Sequence, residues 1–173
     1  MESRNCCIIE RKKKMIKAIY PGTFDPITVG HLDVIRRAAR IYDRLVIAVM
    51  ENRNKKCTFS KEERKEMIEK CIADLDNVMV VVGEGLTVNL AKELDCRIII
   101  RGIRAVSDYE SELALATANM QLNENIETVF MVAKPELSFL SSSIAKEIAS
   151  FKGDIRSYIP EAIIKEVSEK LYQ

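Results

Sequence analysis

The sequence predicts an α/β fold: a single doubly wound domain in which a five-stranded parallel sheet carries helices on both faces. Short apolar runs rich in β-branched residues alternate with longer segments of helical period, and the connections between them are short. The run RLVIAVM, Arg44 to Met50, is apolar without interruption, as a parallel strand covered on both faces has to be.

The elements follow in order. KAIY, from Lys17 to Tyr20, is a strand, and a helix follows from about Gly30 to Tyr42. Arg44 to Met50 is the second strand. Ser60 opens the next helix with Glu63 three residues on, the spacing of a capping box in which hydroxyl and carboxylate each satisfy the other's orphan amide. Apolar positions carry that helix to about Leu75. Asn77 to Val82 is the third strand, Thr87 to Leu94 a helix, and Arg97 to Gly102 the fourth strand. A longer helix spans Ser107 to Leu122, and Glu127 to Ala133 is the fifth strand. Two helices close the chain, the second introduced by Pro160 and reaching Leu171.

Composition narrows the function. A chain of 173 residues with 47% hydrophobic and 31% charged residues can bury one core, here assigned to residues 15–173. Residues 1–14, MESRNCCIIERKKK, read as a disordered extension. The net charge of +1 supplies no global field for nucleic acid, so any anion site has to be local. No stretch is long and apolar enough for a membrane span, and no membrane partner is expected. The five cysteines form no C-x-x-C pair, which fits reduced thiols in a cytoplasmic protein, with Cys71 and Cys96 as small core residues.

In open α/β sheets ligands bind beyond the carboxyl ends of the strands, where strand order reverses. The segments that leave those ends carry Thr23, His31, Lys55, Arg101, Arg104 and the serines Ser141, Ser142 and Ser143. Cations, hydroxyls and two helix N-termini on one edge suit a ligand with more than one phosphate. The first turn lacks G-x-G-x-x-G, which disfavours a dinucleotide. Asp25, before Pro26, reads as a turn former. His31 is the only histidine of the chain. At a helix N-terminus the dipole disfavours the imidazolium, and a docked polyphosphate would reverse that balance and make the ring a donor.

Four blocks together resemble one family. YPGTFDPITVGH (Tyr20 to His31), the pair Lys55 and Lys56, IRGIRAVSDYESEL (Ile100 to Leu113) and SFLSSS (Ser138 to Ser143) resemble the phosphopantetheine adenylyltransferases of bacterial coenzyme A synthesis. Thr28 to His31, T-x-G-H, is the local form of the H-x-G-H signature of the wider nucleotidylyltransferases, and the resemblance runs from Ile16 to the C-terminus.

The resemblance implies transfer of AMP from ATP to 4'-phosphopantetheine, giving dephospho-coenzyme A and pyrophosphate. It implies magnesium, held mainly through ATP phosphates and water, and a homohexamer. Carried over position by position, it puts ATP against Thr23, Phe24, His31, Gly102, Ile103, Arg104 and Glu112, and against the run Leu137, Ser138, Phe139, Leu140, Ser141, Ser142 and Ser143. It puts the pantetheine substrate against Thr23, Lys55, Thr87 and Arg101. Leu137 stands where the family often has an aromatic residue, and Thr87 where a larger apolar one is common.

The nucleophile of such a reaction is a phosphate oxygen already ionised at neutral pH, so no general base is needed. Catalysis then rests on positioning and on stabilising developing charge, with His31, Lys55 and Arg104 as the candidates. Competing readings are a related transferase acting on nicotinamide mononucleotide or on a sugar or glycerol phosphate, and a regulatory module that binds nucleotide without turnover.

Overall fold

The five apolar runs pair as one parallel sheet in a computed structural model that describes residues 15–51 and 56–172. The stretch 1–14 and the candidate Lys55 lie outside the described residues. The strands are β1 (Lys17–Gly22), β2 (Arg44–Met50), β3 (Val78–Gly83), β4 (Ile98–Ile103) and β5 (Glu127–Val132), in spatial order β3-β2-β1-β4-β5. Strand order reverses between β1 and β4, which makes their carboxyl ends the switch point.

Six helices complete the layers: α1 (Val29–Ile41), α2 (Lys61–Cys71), α3 (Thr87–Glu93), α4 (Val106–Leu122), α5 (Ser142–Ser150) and α6 (Ile164–Leu171). The period-2 alternation of the strands sorts the core onto two faces. Ala18, Tyr20, Leu45, Ile47, Val49 and Ile100 pack with α1, α2, α5 and α6. Ile19, Val46, Ala48 and Ile99 pack with Val88 and Ala91 of α3 and with Cys96 on the opposite face. Cys71 and Cys96 are buried and unbridged, as small core residues.

Most strand and helix ends shift by one or two residues from the sequence reading, and three differences have a physical reason. α2 ends at Cys71, not near Leu75. Ile72 and Leu75 keep the helical spacing of apolar residues, but the chain has to turn there into β3, and the Leu75 N–H donates to Ile72 O at 2.8 Å in that turn. Asn77 lies just before β3: its carbonyl accepts from Leu45 N at 3.0 Å, and its side-chain Nδ2 donates to Ala39 O and Tyr42 O, carbonyls at the end of α1. A one-turn 3-10 helix, Pro135–Leu137, which the apolar pattern did not announce, lies between β5 and α5.

The ladder between β1 and β4 is short. Registered pairs stop at Ala18 with Ile98 and Ile19 with Ile99, whereas β1 and β2 stay paired up to Gly22 with Val49. Pro21 has no N–H to continue the ladder, and its carbonyl instead accepts from Arg101 Nη1 at 3.1 Å. A crevice therefore opens between the two strands at their carboxyl ends.

Arg64, on α2 and only 2% exposed, holds the wall of that crevice. Its guanidinium donates to Thr23 O at 2.6 Å, Ser60 O at 3.2 Å and Met50 O at 3.3 Å, joining the loop after β1, the end of β2 and the start of α2. Replacing it with methionine keeps the stem but removes the donors to Thr23 O and Met50 O, and leaves Ser60 O with only the backbone amide of position 64. Arg64→Met is expected to lower stability by about 2–4 kcal/mol, or roughly 4–16 °C in Tm for a chain of this size; a calorimetric loss under about 1 kcal/mol would contradict the clamp.

Candidate active site

The crevice widens into a cavity of about 550 Å³. Its floor is the end of β1 and the loop after it, from Tyr20 to Asp25. Arg101 and Gly102 at the end of β4, then Arg104, Asp108 and Glu112, form one wall. Thr28, Gly30 and His31 at the start of α1, and Ser141, Ser142 and Ser143 at the start of α5, bring two helix N-termini to it. Ser141 is the N-cap of α5, its Oγ accepting from Ile144 N at 3.1 Å. Ser142 Oγ donates to Pro26 O at 2.7 Å and ties α5 to the β1 loop.

His31 is locked by a capping box. Thr28 is the N-cap of α1; its Oγ1 accepts from the His31 amide, while the Thr28 amide donates to the ring Nδ1 at 3.1 Å. Thr28 Oγ1 also lies 2.9 Å from Nδ1. An Nδ1 that accepts bears no proton, so the neutral ring carries its hydrogen on Nε2. Burial first, then the charges of Arg104 and Arg101, push the ring down to about pKa 4. His31 is thus a donor while neutral, and no polyphosphate is needed to charge it. The T-x-x-H spacing parallels a Ser/Thr-x-x-Glu box and was the signal in the sequence for this arrangement.

The loop between β1 and α1 holds its shape through Phe24 and Asp25. Phe24 adopts φ 48°, a left-handed conformation that costs a non-glycine residue about 1–3 kcal/mol. Its ring packs edge-on against Tyr20 at 5.5 Å and His31 at 5.2 Å. A Cβ at Gly22 would come within 2.7 Å of that ring, so glycine is required there. Asp25 does more than form a turn. Its carboxylate, 4% exposed, accepts from the amides of Thr58 and Phe59 and from Lys146 Nζ.

The cations are already paired. Arg101 makes a two-point bond to Glu112, at 2.5 and 2.6 Å. Arg104 bonds Asp108 at 2.9 and 3.1 Å and donates to Leu140 O at 3.0 Å. Lys146 faces Asp25 at 2.5 Å. Among the described residues Lys56 is the cavity-lining cation without an ion pair. An incoming anion therefore meets pre-oriented guanidinium groups whose charge is shared with carboxylates, which favours displacement over capture by loose side chains.

The structure thus gathers Thr23, Phe24, His31, Arg101, Gly102, Arg104, Glu112, Leu137, Leu140 and the three serines. Ile103, Ser138, Phe139 and Thr87 do not line the cavity. Ile103 is buried in β4, Ser138 Oγ donates to Pro135 O, and Phe139 packs against Tyr158 at 5.9 Å. Thr87 starts α3, after the outermost strand. Tyr20, Asp25, Asp108 and Lys146 line the cavity and were missed as site residues. Lys146 sits one turn inside α5, where the sequence offers only an ordinary helical lysine.

Comparison with known proteins agrees with this geometry. A family model described as cytidylyltransferase-like matches residues 19–148. The phosphopantetheine adenylyltransferase of Finegoldia magna is 50% identical over 154 residues, 89% of this chain and 95% of that protein. That of Lachnoclostridium phytofermentans is 51% identical over 152 residues, 88% of this chain and 93% of its own. Among solved structures, one from Vibrio parahaemolyticus described as a nicotinate-nucleotide adenylyltransferase superposes with a TM-score of 0.69. At 19% identity, covering 92% of this chain and 96% of that one, it shares the fold.

With a single histidine, the ring can be followed by NMR without assignment ambiguity. In tag-free protein it is expected to titrate near pH 4, as the Nε2–H tautomer above that. The unfolded ring takes its proton near pH 6.5. Between these values the unfolded chain binds more protons, so this group's contribution to stability is whole above about pH 6.5 and falls as pH drops towards 4. A ring midpoint above pH 6 would refute the buried neutral state.

Proposed function

The chain belongs to the phosphopantetheine adenylyltransferase family, and we propose that it transfers the adenylyl group of ATP to 4'-phosphopantetheine, forming dephospho-coenzyme A and releasing pyrophosphate. The observation that carries this reading is the convergence, at the switch point, of a neutral histidine donor, two oriented arginines and two helix N-termini on one cavity. This is a site for moving a phosphoryl-linked group, with donors placed for charge that develops on phosphate oxygens.

An ionised phosphate oxygen of the acceptor attacks the α-phosphorus of ATP; the bond to the bridging oxygen breaks and pyrophosphate leaves with the electron pair. No proton has to be removed from the nucleophile. In this reading His31 Nε2–H donates to an α-phosphoryl oxygen as negative charge rises there. Arg104, held by Asp108, stabilises the same group and the leaving pyrophosphate. Arg101, held by Glu112, takes the acceptor phosphate. The serines and the N-terminus of α5, with Lys146 beside them, suit the phosphates of ATP. Lys55 and Thr87 keep the substrate-binding roles that the family resemblance implies.

Magnesium enters this reading with the nucleotide. Among the described residues no group of three or more His, Cys, Asp or Glu is placed to hold a metal, and Asp25, Asp108 and Glu112 are engaged by cations. The ion is accordingly assigned to phosphate oxygens and water, the mode in which magnesium keeps most of its hydration.

Assembly as a homo-oligomer, a homohexamer as the family resemblance implies, is supported by apolar side chains on α4 and β5. Leu115 and Leu122, seven residues apart on one face of α4, are 53% and 58% exposed, and Val132 of β5 is 67% exposed; exposed apolar surface of this kind can mark a protein contact. Sedimentation of the whole chain reads this directly. No described helix is long and apolar enough to cross a membrane, and the described cysteines are unbridged, which suits work in the cytoplasm.

The deciding assay is pyrophosphate release with ATP and magnesium. Release is expected with 4'-phosphopantetheine and not with nicotinamide mononucleotide or glycerol phosphate; the reverse pattern, or ATP binding without release, would sink the reading. His31→Ala is expected to lower kcat roughly 10²- to 10³-fold with ATP affinity little changed, the scale of a lost transition-state donor. A kcat within threefold of the parent would remove His31 from the mechanism.

A further inference from the structure

Tyr20 stands in the cavity with nothing to do. It lies on β1, 6% exposed, its ring edge-on to Phe24. A Cβ added at Gly102 would lie 3.4 Å from its Oη, so the hydroxyl reaches across the crevice to β4. It lines the cavity, and among the described residues the hydroxyl makes no hydrogen bond to a protein group; it is not among the buried polar atoms left without a partner, so it opens to the cavity as a free donor.

The surroundings say what kind of partner is missing. Arg101, Glu112 and Arg104 are the charged groups that act on the phenol. Glu112 acts on it through charge alone: its carboxylate bonds Arg101 and makes no hydrogen bond to the phenol. Burial pushes the phenol up to about 12, so at neutral pH it keeps its proton and can donate but cannot serve as a base. A neutral donor beside two guanidinium groups, at the mouth of a strand pair, matches an anionic oxygen lodged between those groups.

We propose that Tyr20 is a substrate-binding residue whose hydroxyl donates a hydrogen bond to a phosphoryl oxygen seated between Arg101 and Arg104. This rests on the adenylyl-transfer reading. The oxygen belongs either to the acceptor phosphate or to the α-phosphoryl group of ATP, and the two are separable by experiment.

Tyr20→Phe removes the hydroxyl and leaves the ring. Because that hydroxyl bonds no protein group among the described residues, Tm is expected to hold. The ratio kcat/KM is expected to fall roughly 10- to 100-fold, the scale of a lost hydrogen bond to a charged group. A rise confined to KM for 4'-phosphopantetheine assigns the acceptor phosphate. Weaker ATP binding by calorimetry, or a fall in kcat alone, assigns the α-phosphoryl oxygen, in the ground state or the transition state respectively.

Two results would overturn the proposal. One is a change under threefold in every constant; the other is a lower Tm with constants unchanged, which would make the hydroxyl part of the core. If the parent protein released no pyrophosphate, the reaction reading would fail by itself. Calorimetry with ATP and with 4'-phosphopantetheine, on parent and variant, would still report whether the hydroxyl holds a phosphoryl oxygen.

Discussion

The site depends on one interruption in a hydrogen-bond ladder. β1 is the central strand and stays paired to β2 along its length, but leaves β4 after Ile19 and Ile99. Pro21 cannot donate across the gap, and the guanidinium of Arg101 fills it instead. A sheet that stayed closed to the ends of its strands would leave no opening for the cavity that Pro21, Arg101 and Gly102 line. Everything that lines the cavity is placed relative to that opening: the β1 loop crosses it, α1 and α5 aim their N-termini over it, and Arg64 fixes its wall from below.

Around that opening the protein keeps its charge in pairs. Arg101 with Glu112, Arg104 with Asp108 and Lys146 with Asp25 each join a cation that a phosphate could use to a carboxylate that repels phosphate. These cations are only partly buried, so pairing chiefly fixes their orientation and offsets a modest desolvation cost. Paired, they are held at fixed orientation, and the cavity admits anions able to compete with a carboxylate at more than one point. A polyphosphate competes so; a lone monoanion does so poorly. His31 follows the same logic in another form, as a donor that stays uncharged and asks for no counter-ion.

Much of this was legible in the sequence. Five apolar runs alternating with helical segments are local signals, and each marked an element that the structure contains. The box at Ser60 and Glu63 was visible because both partners lie within one turn. Boundaries failed where a tertiary demand outweighed a local one. The turn from α2 into β3 cut the helix short despite good spacing, and Asn77 lies just before its strand with its side chain holding the end of α1.

The sequence by itself determined which residues could meet a polyphosphate, because strand ends in this topology share one edge and the loops leaving them carry Thr23, His31, Arg101, Arg104 and the serines. Only the tertiary structure decided the state of those groups. The tautomer and charge of His31 depend on Thr28 and on burial, both of which arise when α1 docks over β1. The pairing of Lys146 with Asp25 joins residues 121 positions apart, a separation that no local pattern reports. Tyr20 reads in the sequence as the last apolar residue of a strand; that its hydroxyl opens to the cavity near Arg101 and Arg104 follows from β4 lying next to β1, a property of the sheet and not of any segment.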